Sequence, residues 1–227
     1  MVLSRSARLR FSGLLLSGLI LLPGAAAAAP PATHAVTIAT ARSLPLGTTV
    51  TVEGSVSTPS GAFNSSFFDL GFAIQDLTGG IFISLQTDLG VAPRARARVT
   101  GVLADSFGLR ILVPADPSDV QVRPGGPKVR PQLVRTAAVG EATEGRIVRV
   151  AGTLVQGPES DLPFGYKFFV DDGSGPVQIF VNLETGIDVS TLSVGQVVVV
   201  TGFSSQFDTH YEIDPRSPAD IVVAAGG

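Results

Sequence analysis

The chain carries the same series of short blocks twice, and this internal repeat limits the possible folds more than any other feature. A G-x-x-V-x-V-x-G block spans residues 47–54 and returns at 145–152. Three further blocks recur in the same order at offsets of 96 to 101 residues, namely Phe72–Gly79 with Phe168–Gly175, Val99–Gly101 with Val200–Gly202, and Pro114 with Pro215. A repeat of this length predicts two domains of one fold in tandem.

Each repeat is predicted to form five short strands. Val50 and Val52 alternate with polar residues, and Val148 and Val150 do the same, which is the period-two pattern of a half-buried strand. The other strands are predicted at 72–75, 81–85, 96–103 and 109–113, and again at 168–171, 177–182, 196–203 and 211–214. Five strands in roughly 85–90 residues predict an all-β chain of two tandem small Greek-key β-barrels of the OB-fold type.

The first residues have the features of an export signal. Three arginines precede an apolar stretch that ends at Pro23, and the alanines at 25–29 offer a small-residue cleavage site after Ala27 or Ala28. The apolar stretch of about a dozen residues is shorter than the roughly 20 that a membrane-spanning helix needs. We therefore expect an exported protein, periplasmic or extracellular, with no stable membrane insertion after cleavage.

These features give four predicted segments. A signal peptide occupies residues 1–28, a first OB-like barrel residues 36–122, and a second barrel residues 134–223. Between the barrels, residues 123–133 form a linker rich in proline and glycine, a composition that gives a semi-stiff spacer.

The blocks at 41–54, 74–81 and 144–152 resemble the OB-fold modules that are appended to secreted bacterial nucleases and lamin-tail-type surface proteins. The resemblance extends over most of residues 36–223. It implies the fold and export, and it implies nucleic-acid binding through the barrel. In such proteins catalysis resides in a separate nuclease domain, for which this chain has no room.

Catalytic chemistry is poorly represented in the sequence. There is no Cys to act as a nucleophile, and the chain has two His residues, of which His34 lies in a Pro-Ala segment and His210 aligns with Leu109 of the first repeat. Asp171–Gly175 has the acids of a calcium loop but lacks its spaced ligands, so a tight turn is favoured. We expect a protein that is not an enzyme and that holds no cofactor and no metal.

A binding surface is the remaining candidate for function. In OB barrels the exposed side of strands two and three is the usual platform. Strand parity places a set of candidate ligand-binding side chains outward, and aromatic members of such a set can stack nucleic-acid bases. The set comprises Gln75, Phe82, Arg96 and Arg98 in the first repeat and Phe169, Phe180 and Asn182 in the second.

Two hypotheses for the ligand remain open. The leading hypothesis is binding of single-stranded nucleic acid (DNA). The charge of the chain argues against this hypothesis, because an acidic protein disfavours contacts to phosphate. The 16 basic and 19 acidic residues give a net charge of −3, and removal of the three signal arginines takes it to −6. The alternative is an envelope or interaction module that binds a protein or oligosaccharide partner. The phenylalanines also fit a purely structural role, and the apolar run Val197–Val200 fits a barrel–barrel or oligomer contact.

Overall fold

Two closed sheets follow one another along the chain, as the repeat predicts. The computed structural model describes residues 34–64 and 68–224, and these residues belong to one compact unit. The predicted signal peptide lies outside the described residues.

Barrel 1 begins with a five-residue helix, α1. The Thr37 side chain caps this helix by accepting a hydrogen bond from the Thr40 amide. Because β-branched residues alternate along the next segment, it forms a long strand whose valines point inward. The elements of barrel 1 are α1 (Ile38–Arg42), β1 (Thr49–Thr58), β2 (Phe72–Gln75), β3 (Gly80–Ile83), β4 (Ala95–Ser106), β5 (Leu109–Val113) and β6 (Val120–Pro124).

Barrel 2 repeats this order, with a short 3₁₀ turn, Thr136–Ala138, in place of α1. Its strands are β7 (Gln132–Leu133), β8 (Ile147–Asp161), β9 (Gly165–Asp171), β10 (Val177–Asn182), β11 (Val197–Phe207), β12 (His210–Asp214) and β13 (Ile221–Val223). The predicted linker is therefore framed by the end of β6 and by β7, which pairs in parallel with β8.

The strand order identifies the fold. Barrel 1 runs β1-β2-β3-β5-β4, and the β1–β4 pairing closes it, while β3 and β5 are parallel. Barrel 2 has the same order, β8-β9-β10-β12-β11, with the same closure and a parallel pair β10–β12. This is the five-stranded Greek-key arrangement of an OB-fold. The prediction of two tandem OB-like barrels is confirmed.

Glycines in the first strand of each barrel allow a close approach of the backbone. A Cβ at Gly54 would lie 3.0 Å from the Gln75 carbonyl oxygen, and one at Gly152 would lie 2.6 Å from that of Asp171. The strand can therefore bend past the end of its neighbour, and each barrel encloses its own core of Val, Ile, Leu and Phe side chains.

The tight turn after the second strand holds the segment that precedes each barrel. The Asp76 carboxylate accepts a hydrogen bond from the Ile38 amide at 2.9 Å. Its counterpart, the Asp172 carboxylate, accepts one from the Thr136 hydroxyl at 2.9 Å. Both hydrogen bonds tie the preceding segment to the turn. The repeated Asp therefore has a structural role, which agrees with the prediction of a turn.

The two barrels share a third hydrophobic core. Phe203 of β11 lies with its ring centroid 5.8 Å from that of Phe63 and 6.2 Å from that of Phe82, and Ile147 packs beside it. Gly80 and Gly145 touch at the same junction, where a Cβ on Gly80 would lie 1.8 Å from the Gly145 oxygen. Val197 is 50 % exposed. The junction uses the opposite end of that strand, so the barrel–barrel alternative for Val197–Val200 is wrong, and the oligomer alternative stays a prediction.

Polar contacts reinforce this junction. Arg42 reaches the buried Glu144 carboxylate at 2.8 Å, and Arg216 donates to the Ser57 carbonyl oxygen at 2.8 Å. Burial raises the pKa of Glu144, and the Arg42 charge opposes that rise.

Among the residues that the structure describes, no helix is both long and apolar enough to cross a bilayer.

Candidate functional site

The outer face of β2, β3 and β5 in barrel 1 is closed by barrel 2. Its side chains Ala73, Phe82, Leu109 and Ile111 are all buried in the shared core. At the equivalent places barrel 2 carries Phe169, Gln178, His210 and Glu212, as shown by the register of β9, β10 and β12. No barrel covers this second face within the described residues, so barrel 2 retains the open OB platform.

Two predicted site residues of barrel 1 belong to the junction. Phe82 is 1 % exposed, so the prediction that it faces solvent is wrong. The Gln75 side-chain oxygen accepts the Ile147 amide of barrel 2 at 2.9 Å. Period-two parity assigned both side chains to the outer face, but it does not show that a second barrel covers that face.

An aromatic pocket of about 200 Å³ lies on the open face of barrel 2. Phe180 forms part of its lining, together with Phe68 from the β1–β2 loop of barrel 1 and Phe164 and Phe207 from barrel 2. The Phe68 and Phe164 rings meet edge to face, with centroids 6.1 Å apart. Both barrels therefore build this pocket.

The pocket gathers the exposed aromatic surface of the molecule. The phenylalanines with more than a third of their surface exposed are Phe68, Phe107, Phe164 and Phe207, among all those that the structure describes. Phe107 stacks on Phe207 with ring centroids 5.1 Å apart. A cluster of exposed apolar side chains of this kind marks an interaction site.

A buried carboxylate lies beside the aromatic rings. Glu212 accepts a hydrogen bond from the Gln178 amide nitrogen at 2.6 Å, and His210 Nε2 lies 3.7 Å from the same carboxylate oxygen. The interaction of the His210 ring with the Glu212 side chain is the largest cause that raises the pKa of His210. Burial opposes the rise, and the negative charges of Glu212 and Asp208 add to it. At the rim, Lys167 Nζ lies 3.9 Å from an Asp161 oxygen.

The next residue on the same face of β12, Asp214, is fully buried. Burial is the largest cause that raises its pKa well above the ordinary value, and the charge of Glu212 adds to the rise. The Ser205 side chain lowers it in part. Glu212 and Asp214 therefore interact unfavourably whenever both are ionised.

The three predicted residues of barrel 2 have different surroundings. Phe180 lines the pocket, whereas Phe169 lies half-buried one row away, outside it. Asn182 is 0 % exposed, so the prediction that it faces solvent is wrong. Asn182 is the last residue of β10 and pairs with Gly165, the first residue of β9.

Two clefts that share Lys128 and Val129 run along the linker, with volumes of about 380 and 490 Å³. We call them the linker clefts. Seven cationic residues line them, against the acids Glu53, Asp76 and Asp220. The seven are Arg94, Arg96, Lys128, Arg130, Arg146, Arg149 and Arg216.

Most of the cleft acids already have partners. Asp220 is bound by Arg216 at 2.9 Å, and Asp76 by backbone amides. Glu53 lies 3.8 Å from both Arg96 and Arg98, the two predicted anion contacts. Arg96 lines a cleft, and Arg98 is directed to Glu53. Arg94, Lys128, Arg130 and Arg149 have no carboxylate within 4 Å among the described residues, so the clefts are net positive.

Sequence reasoning missed the pocket walls and the clefts because both are assembled from distant segments. Phe68, Phe164 and Phe207 lie in or beside connections between strands, where strand parity gives no direction. The cleft cations come from barrel 1, the linker and barrel 2, and only the packing of the barrels brings them together.

Comparisons with known proteins give similar folds. No family model and no curated protein sequence matches the chain. An OB domain from Methanosarcina mazei is 11 % identical over 43 % of this chain and 88 % of that domain, with a TM-score of 0.36. The hypothetical protein ygiW of E. coli is 16 % identical over 43 % of this chain and 94 % of its own, with a TM-score of 0.31.

A murine DNA-binding protein solved with double-stranded DNA is similar over more of the chain. It is 11 % identical over 78 % of this chain and 97 % of its own, with a TM-score of 0.40. Similarities this distant leave the ligand to be argued from the chain's own residues.

Proposed function

We propose that this chain is a non-enzymatic nucleic-acid-binding protein that holds the sugar-phosphate backbone of a single strand in the linker clefts. The observation that supports the proposal is the separation of charge. Seven cations and three acids line the clefts, whereas the chain as a whole has more acids than bases. Cations gathered in one place attract a polyanion even when the net charge of the protein is negative.

Several cleft cations are available to a ligand. Arg149 is fixed through Nε, which donates to Thr201 Oγ1 at 2.8 Å and leaves the guanidinium end beside the cleft. Arg94, Lys128 and Arg130 are exposed. Arg216 and Arg146 instead make contacts between the barrels. Four free cations along a recess favour a flexible unpaired backbone, which can follow the cleft walls.

The aromatic pocket is a poorer place for phosphate. Asp161 and Glu212 line it, and Asp208 raises the pKa of the neighbouring His210 through its negative charge. Negative charges so close to the rings oppose a phosphate backbone. The structure therefore favours the clefts over the phenylalanine face for the nucleic acid.

The absence of catalysis and the export of the chain are parts of the same proposal. The described residues contain no group of three or more His, Asp or Glu side chains that could hold a metal ion. We propose that the protein binds its ligand without converting it chemically. Binding would take place outside the cytoplasm, where the protein can meet a single-stranded nucleic acid or an envelope protein.

Fluorescence anisotropy with a labelled single-stranded oligonucleotide tests the proposal. Lys128→Gln with Arg130→Gln removes two cleft cations at exposed places. We expect weaker binding at low salt and a salt slope smaller by about 1.4, since each phosphate contact to a single strand contributes about 0.7. The matched control is Arg123→Gln with Arg135→Gln, which changes the net charge equally at exposed places outside both clefts.

The control pair should keep the wild-type salt slope. If wild-type protein does not bind at low salt, or if both pairs weaken binding equally, the clefts do not hold the backbone. A duplex of the same sequence, tested in parallel, should bind more weakly than the single strand.

A further inference from the structure

We propose that the aromatic pocket of barrel 2 is a second, separate site that binds a small organic cation, a protonated or alkylated ammonium group. The inference goes beyond nucleic-acid binding, because it concerns different residues and a positively charged ligand. It begins with the four phenylalanines Phe68, Phe164, Phe180 and Phe207, which line one pocket. The face of an aromatic ring attracts a cation through its quadrupole.

The pocket also contains hydrogen-bond acceptors. Glu212 Oε2 already accepts from Gln178, which leaves Glu212 Oε1 and the Gln178 carbonyl oxygen as acceptors. The Glu212 side chain is 5 % exposed. A carboxylate this buried, beside aromatic rings, interacts more strongly with a cation than a carboxylate in water does.

The cations near the pocket are held by partners of their own. Lys167 is directed to Asp161 at the rim. His210 lies 3.7 Å from Glu212 and competes for it when protonated. The ligand should therefore bind best above the pKa of His210, with Glu212, Asp161, Lys167 and Asp208 as the other titratable groups around it.

The size of the pocket suits a compact head group. A volume of about 200 Å³ is below the roughly 300 Å³ of a typical drug-sized site. It can hold an ammonium group with a few carbon atoms, supplied either by a free amine or by the end of a lysine side chain on a partner protein.

Isothermal titration with choline chloride and with 3,3-dimethylbutan-1-ol, its uncharged isostere, tests the proposal at pH 8.5. Wild-type protein should bind choline at least about tenfold more tightly than the neutral isostere. Glu212→Gln should abolish most of this difference, because it removes the charge and keeps the shape. Phe68→Ala, at a 61 % exposed place, should weaken choline binding without unfolding the protein.

Two matched controls accompany these variants. Phe169→Ala removes an aromatic ring from the same face outside the pocket, and Glu184→Gln removes one negative charge at an exposed place outside it. Both should bind choline as the wild type does. A short peptide with one central lysine distinguishes the sources, since tighter binding of the peptide than of choline assigns the cation to a partner protein.

Equal affinity for choline and its neutral isostere would overturn the proposal, as would no binding of choline or the peptide to wild-type protein. Unchanged selectivity in folded Glu212→Gln, checked by circular dichroism, would also overturn it. Oligonucleotide binding is measured on the same variants. Loss of choline binding with oligonucleotide binding retained shows that the two sites are independent.

Discussion

The two barrels have the same topology and use the same face in opposite ways. In barrel 1, the row Ala73, Phe82 and Ile111 is buried against barrel 2. In barrel 2, the matching row Phe169, Gln178 and Glu212 has no covering barrel among the described residues, and Gln178 and Glu212 line the pocket. The difference shows that one copy of a binding module can serve as the support for the other.

The side chains on the fifth strand account for this division. Leu109 and Ile111 of β5 are apolar and gain from burial against a second barrel. At the equivalent places β12 carries the polar His210 and Glu212, and the half-exposed His210 would lose hydration if a barrel covered it. The fifth strand therefore favours packing of barrel 1 against its neighbour through β5, and leaves the equivalent face of barrel 2, at β12, uncovered by a barrel.

Exchanging these roles should have the largest effect. Ile111→Glu gives barrel 1 the residue that barrel 2 has at the equivalent position and places an unpaired charge in the shared core. We expect the free energy of unfolding to fall by more than about 5 kcal/mol, from lost packing and buried charge. Urea unfolding followed by circular dichroism measures the loss. The control Glu212→Gln should change stability by less than about 1 kcal/mol, and a similar loss in both variants would contradict the comparison.

Truncation along β11 should separate the junction from the pocket. Phe203 and Phe207 lie on one strand, but Phe203 is 0 % exposed and Phe207 is 38 % exposed. Phe203→Ala should cost about 3–5 kcal/mol in urea unfolding, as expected for a buried aromatic ring. Phe207→Ala should cost much less, because part of its ring already faces water. Equal costs would mean that the junction extends to the pocket mouth.

Asp214 should make stability depend on pH. Its pKa in the folded protein is raised by burial and by Glu212, so its contribution is most favourable at low pH and is lost as the pH rises through that folded pKa. Asp214→Asn should therefore be more stable than wild type at pH 8, by about 1–3 kcal/mol, and this advantage should shrink as the pH falls toward 4. Thermal melts across this range would contradict the prediction if the difference stayed constant.

The repeated turn should give the smallest effect, and barrel 2 is the place to measure it. The Ser174 hydroxyl, followed by Thr136, lowers the pKa of Asp172 to about 2 against an opposing contribution from desolvation. A carboxylate with a depressed pKa stabilises the folded protein at pH values above its ordinary pKa. This contribution is lost as the pH falls through about 2. Asp172→Ala should lower the Tm slightly at pH 7, with a smaller difference at pH 3. Glu184→Ala, which removes the same charge at an exposed site, should have no such pH dependence.

The barrels could be predicted from the sequence because their determinants are local. Alternating valines, turn glycines and strand-ending prolines act within a few residues of themselves, and Gly54 and Gly152 lie where a first strand must bend. The repeat then doubles each signal, so both barrels follow from the same argument.

The site could be predicted only in part, for a physical reason. Parity placed Phe180 and Phe82 on outer faces, but only contact between the barrels decides which face is covered. A signal was present in the apolar outer side of β5, at Leu109 and Ile111, which contrasts with His210 and Glu212. The Val197–Val200 run suggested a barrel–barrel contact at one end of β11, and the junction between the barrels uses the other end.

Most of the contacts that hold the two barrels together lie outside the linker, whose Val129 also packs against the shared core. Phe203 against Phe63 and Phe82, Arg42 against Glu144, and the glycine pair Gly80 and Gly145 all lie outside the linker. We therefore expect the two fragments left by a protease that cuts between Gly125 and Gly126 to remain associated. The linker would then act mainly by keeping the two barrels at a high local concentration.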